Sequence, residues 1–89
     1  MPKIGNIEIA DDSFHRLGYH KVTDETLPKH AEVRRHMMWL DSWILENIPQ
    51  GREQSLARTA VQEAAMWCNA GIACNLAPAV ADPGTFDEE

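Results

Sequence analysis

Residues 23–75 carry one strong interruption. Pro49 and Gly51 divide this stretch into two long runs with helical spacing. Thr23, Asp24 and Thr26 offer side-chain oxygens to cap the first run, and Pro28 falls in its first turn, where proline is tolerated. The first helix is expected to end near Ile48, and the second to run from Arg52 or Glu53 to about Asn75. Each is roughly 23 residues, or about 34 Å at 1.5 Å per residue. Matched lengths and a turn of roughly four residues predict a long antiparallel hairpin.

Two helices alone leave too much apolar surface. At 100° per residue, Val33, Met37, Leu40, Ile44 and Ile48 share one stripe of the first helix. Met38 and Leu45 lie on a second side, Trp39 and Trp43 on a third. On the second helix Leu56, Ala60, Ala64, Trp67 and Gly71 form one stripe, widened by Val61, Ala65, Cys68 and Ile72. Helices apolar on several sides belong in a larger core than a hairpin supplies. The chain has 89 residues, a size at which a domain often leans on a partner. The expected fold class is therefore all-α: a long antiparallel helical hairpin assembling into a homo-oligomeric helical bundle.

Outside the hairpin, residues 1–22 read as an N-terminal arm and ligand loop. Ile7 and Ile9 alternate there like a short strand, and residues 14–22 read as a loop with interleaved aromatic and basic side chains. Residues 76–89, with Pro78, Pro83, Gly84 and four acids after Ala81, read as a flexible acidic tail.

The net charge of −6 argues against binding DNA or RNA polymers. The sign turns locally, however. Between Phe14 and His36 five bases (Arg16, Lys21, Lys29, Arg34, Arg35) face three acids, and all four histidines lie in that stretch. The two cysteines, Cys68 and Cys74, are six apart in an apolar helix and suit a reducing compartment rather than a disulfide scaffold. No signal peptide and no stretch long enough to span a bilayer are apparent.

Catalytic patterns do not emerge. Glu63 stands beside an apolar stripe, where an acid is expected to be tied by a hydrogen bond or an arginine. The cysteines read as inert packing. His30 and His36 point about 120° apart on a helix, and no i, i+4 histidine pair exists, so no metal is expected. Phosphate-loop and dinucleotide fingerprints are missing. What remains is a binding constellation: Tyr19 beside His20 and Lys21, then Arg34 and Arg35. A tyrosine face stacks a base and an arginine fork matches phosphate oxygens. Spacing alone leaves open the alternative that Tyr19 packs on the bundle and the arginines are solvated.

Residues 51–73, GREQSLARTAVQEAAMWCNAGIA, add specificity. Gly51-Arg52-Glu53, Ser55-Leu56-Ala57, Thr59, Glu63-Ala64, Met66-Trp67, Asn69-Ala70 and Ile72-Ala73 resemble, in register, the second helix of the helical-hairpin phage proteins that sequester cyclic-nucleotide immune signals. These are the anti-CBASS and related anti-Thoeris sponges. Upstream, Tyr19-His20, His30, Val33 and Arg34 are similar to that family's loop and first helix. The resemblance covers about residues 14–75. It implies a homo-oligomer, typically a hexamer, that binds messengers uncut between subunits.

By position, Tyr19 resembles the family's stacking tyrosine and Arg34 its phosphate contact, in a pocket for a cyclic dinucleotide or a cyclic ADP-ribose-type messenger. A cyclic trinucleotide pocket in some members uses first-helix residues, near which His36 falls, and an arginine where this chain has Cys74. Val22 stands where the family has a proline. The resemblance thus implies a non-enzymatic, cofactor-free sponge acting in the cytoplasm of an infected bacterial host. Its expected ligand-binding residues are Tyr19, His20, Arg34, Arg35 and His36. A helical interaction module or a structural phage protein without a nucleotide ligand is the alternative.

Overall fold

The computed structural model describes residues 3–80. The chain begins with strands β1 (Lys3–Ile4) and β2 (Ile7–Glu8), paired antiparallel with Lys3 opposite Glu8 and Ile4 opposite Ile7. Gly5 makes the reversal with a φ of +62°, a conformation that costs an L side chain energy. Helix α1 (Asp11–Leu17), strand β3 (Tyr19–His20), helix α2 (Thr26–Asn47), helix α3 (Arg52–Leu76) and strand β4 (Ala79–Val80) follow.

The two long helices start and stop for local reasons. Thr23 and Thr26 form a reciprocal box ahead of α2. The Thr26 N–H donates to Thr23 Oγ1 at 3.1 Å, and the Thr23 N–H donates to Thr26 Oγ1 at 2.9 Å. Two otherwise orphaned donors are satisfied this way, and Thr26 is buried to 1% exposure. At the far end Ile48 turns extended ahead of Pro49. The Gln54 amide then donates to the Ile48 carbonyl at 2.8 Å, tying the first turn of α3 to the end of α2. The hairpin expected from the Pro49–Gly51 break is present.

Val33, Met37, Ile44 and Ile48 are the least exposed apolar residues of the expected α2 stripe. On α3, Ala57, Val61, Ala65 and Ile72 are turned inward, whereas Leu56, Ala60, Ala64 and Trp67 are exposed. Of the two α3 stripes, the one containing Val61 therefore meets α2. The core is thin: among the described residues only Ile44 and Ala77 are buried hydrophobic side chains. The radius of gyration is 17.5 Å, against about 12 Å for a compact domain of this length.

Two expectations need correction. Residues 14–17, read as loop, belong to α1. Asp11 and Asp12 in its first turn and His15 and Arg16 in its last complement the helix dipole, and Asp12 pairs with Arg16 at 3.6 Å. Seven residues are too few for apolar periodicity to reveal such a helix. Residues 79–80, read as part of a flexible tail, form β4, which pairs antiparallel with β3, Tyr19 opposite Val80 and His20 opposite Ala79. The remainder of that tail, 81–89, lies outside the described residues.

Candidate functional site

Tyr19 and His20 owe their place to the close of α1. The Gly18 N–H donates to the Phe14 carbonyl at 2.9 Å, and a Cβ at Gly18 would collide with that same carbonyl oxygen. Glycine therefore allows the chain to leave α1 directly into β3. Pairing with β4 then fixes β3 beside the C-terminal end of α3, at the end of the hairpin away from the α2–α3 turn. The Tyr19 ring remains half exposed, at 50%.

His20 is held on both sides. Its Nδ1 lies 2.7 Å from the Ala77 carbonyl oxygen and its Nε2 2.6 Å from the His15 carbonyl oxygen. The His15 ring meets it edge-on, with centroids 5.6 Å apart. One ring thus ties the end of α1, strand β3 and the end of α3 together. Both ring nitrogens are engaged with backbone oxygens, so His20 orders the site.

Arg34, Arg35 and His36 are exposed residues of α2. Arg34 begins about 12 Å along the helix from Thr26, and has no hydrogen-bond or ion-pair partner among the described residues. Arg35 pairs with Glu32 at 3.6 Å, with both side chains well exposed. Successive positions on a helix diverge by about 100°, so these three side chains spread around α2. The protomer brings Tyr19 and His20 together on β3. Within the described residues no hydrogen bond or ion pair links them to Arg34, Arg35 or His36.

Two polar links register the helices. The His30 Nδ1 lies 2.8 Å from Asn69 Oδ1, a part-buried contact in which the ring N–H donates to the amide oxygen. Further along, Arg58 grips Asp41 with two bonds, Nε to Oδ1 at 2.9 Å and Nη2 to Oδ2 at 3.1 Å. The Arg58 guanidinium, chiefly through this hydrogen bonding, holds the Asp41 carboxyl below the usual carboxylate range, and Asp41 in turn raises Arg58. This pair sits in an open groove of about 630 Å³ between α2 and α3, also lined by Met37, Ser42, Thr59 and Val61.

The sequence reading missed the His15 and Ala77 carbonyls, because backbone oxygens have no signature in residue type. It also placed Glu63 in a hydrogen bond or arginine pair. Glu63 is exposed and has no such partner among the described residues, since Arg58, the nearest upstream arginine, is taken by Asp41. Cys68, read as inert packing, is exposed in the single chain although it shares a stripe with the inward Val61, Ala65 and Ile72. Among the described residues no group of three or more His, Cys, Asp or Glu could hold a metal ion, and no helix is long and apolar enough to cross a membrane.

Comparison with known proteins gives one match. The family model described as "Acb2/Tad1, hairpin domain" matches residues 10–73, which run from just before α1 to near the end of α3. No curated protein and no solved structure matches the chain.

Proposed function

Because the chain belongs to the Acb2/Tad1 hairpin-domain family, the anti-CBASS and anti-Thoeris sponges, we propose that it binds a cyclic immune messenger without cleaving it and so lowers its free concentration. That family is a binding domain rather than a known enzyme. The ligand class is a cyclic dinucleotide or a cyclic ADP-ribose-type molecule, and a cyclic trinucleotide is a secondary candidate. The setting is the cytoplasm of an infected bacterium, where titrating the messenger would blunt anti-phage defence.

The observation that carries this reading is Tyr19: a half-exposed aromatic ring presented by an anchored strand, one residue from a doubly bonded His20. A preorganised ring stacks a base for about 1–3 kcal/mol. Nanomolar binding needs about 12 kcal/mol, so phosphate contacts and burial must contribute as well. Arg34 supplies a guanidinium without an ion-pair partner among the described residues. Arg35 and His36 extend the cationic side of α2.

Tyr19 and Arg34 come from separate parts of one protomer, and a second copy is the natural way to close a site over a ligand. The exposed apolar faces support such an assembly. Trp67 is 76% exposed, Trp39 66% and Leu56 55%. Large apolar side chains gain roughly 1.5–3 kcal/mol each when fully buried. A homo-oligomer, a hexamer by family resemblance, removes these faces from water and places one subunit's loop on another's helix.

Calorimetry against cyclic dinucleotides, cyclic trinucleotides and cyclic ADP-ribose isomers tests the reading. Nanomolar to micromolar binding of at least one, with the ligand recovered intact after heating the complex, is the expected result. Tyr19→Ala should weaken that binding by about tenfold or more while leaving the assembly intact, and Tyr19→Phe should keep most of it. Silence toward the whole panel, together with capture of a defined protein on the Trp39 face, would mark an interaction module instead. Recovery of cleaved ligand would mark an enzyme.

A further inference from the structure

We propose that His20 is a positioning residue that works as the imidazolium cation, clamping the Tyr19 strand between the ends of two helices. The clamp itself stands on geometry; only its consequence for messenger binding rests on the sponge reading above.

The two contacts of His20 are both to carbonyl oxygens, which accept and never donate. At 2.7 Å from Ala77 and 2.6 Å from His15, each ring nitrogen must carry a proton, because a bare nitrogen lone pair facing an oxygen lone pair at that range repels it. Neutral imidazole has one N–H and satisfies one of the two. The cation has two and satisfies both.

The surroundings suit a cation. Ala77 is the residue that closes α3, and His15 belongs to the last turn of α1. The final carbonyls of a helix lack intrahelical partners and carry its partial negative charge. Two helix ends therefore converge on one ring. The α3–β4 side, residues 75–80, has no charged or titratable side chain. From α1, Asp12 and Arg16 pair with each other, and the His15 ring stands edge-on to His20. Lys21, Asp24 and Glu25, which lead from β3 to α2, are exposed and make no bond to the ring.

With both nitrogens protonated, the two bonds hold β3 in place. Loss of one proton removes one bond, and the β3–β4 pair loosens while the α2–α3 hairpin does not. The site carrying Tyr19 is thus best formed with the ring doubly protonated, and His20 couples messenger capture to protonation.

Hydrogen exchange and ring-nitrogen NMR on the full ligand-free protein test this at about pH 5.5 and about pH 8.5, either side of the ordinary value of about 6.5. At the lower pH both His20 nitrogens should bear a proton. Protection of the β3–β4 amides, corrected for the intrinsic exchange rate, should be about tenfold greater there than at the higher pH. His15→Gln should keep that difference. His20→Gln should abolish it, with α2–α3 protection unchanged.

A bare His20 nitrogen at the lower pH, or β3–β4 protection that ignores pH in the wild-type protein, overturns the clamp. Titration with cyclic di-AMP and cyclic ADP-ribose at both pH values separates the two ideas. A ligand bound more weakly at the higher pH in wild type, and equally at both in His20→Gln, supports the coupling. PH-dependent protection with no ligand bound at either pH upholds the clamp and removes the sponge reading.

Discussion

His30 and Asn69, 39 residues apart in the chain, meet across the helix pair at 2.8 Å, and this part-buried bond lies on the same side of the Pro49–Gly51 turn as the Tyr19 strand. It fixes the register of α2 against α3 one turn beyond the buried Thr26 cap. Apolar side chains along a thin interface slide at little cost. A directional bond between two polar groups does not, because a shift leaves both unsatisfied.

Asn69→Ala and His30→Ala should each destabilise the protein by about 1–2 kcal/mol. The double variant should cost less than the sum, with a coupling of about 1 kcal/mol. Urea unfolding of the four proteins at one fixed concentration checks this. Strict additivity would show that the contact contributes nothing.

Gly18→Ala should displace Tyr19 while sparing the hairpin. The added methyl would collide with the Phe14 carbonyl that closes α1, so α1 or β3 must move. Far-ultraviolet circular dichroism should change little, since α2 and α3 contribute most of the helix. Messenger affinity should fall about tenfold or more, as a stacking contact worth about 1–3 kcal/mol is misplaced. Wild-type affinity in this variant would detach Tyr19 from the site.

Trp67→Glu should dissociate the proposed assembly. Trp67 is 76% exposed in the protomer and lies on the α3 stripe that α2 leaves uncovered. A carboxylate buried there without a partner would cost several kcal/mol. Light scattering at micromolar concentration should return a smaller particle than wild type. An unchanged mass would place this face in water.

Acid should weaken the Asp41–Arg58 bridge in a defined direction. The folded Asp41 carboxyl sits below its ordinary range, held there by the Arg58 hydrogen bonds. Its contribution is therefore fully present above the unfolded-state value of about 3.9 and is lost as pH falls through the lowered folded value. The stability difference between wild type and Asp41→Asn should be constant from pH 8 to about pH 5 and shrink below about pH 4. The pair is solvent-accessible, so added salt should shrink it too. A difference that grows in acid would reverse the assignment.

The hairpin was legible in the chain because its causes are local. Pro49 and Gly51 break the helix where they stand, Thr23 and Thr26 bond to each other across the start of α2, and the Val33–Met37–Ile44–Ile48 stripe follows from a fixed 100° step. The family, too, is written in residue types at fixed spacing, from Gly51-Arg52-Glu53 to Ile72-Ala73. These features need no knowledge of what lies across space.

Other features depended on the tertiary structure. The second helix offers two apolar stripes, and only packing against α2 decided that Val61, Ala65 and Ile72 turn inward while Leu56 and Trp67 do not. Residues 79–80 gain a strand because Tyr19 and His20 lie beside them, and that pairing joins segments with no shared pattern. His20 grips a carbonyl 57 residues away. Every residue but its position has the same carbonyl, so no choice of side chain announces which oxygen will be there. Local sequence sets the shape of each helix; the meeting of backbone groups from distant segments sets where Tyr19 is held.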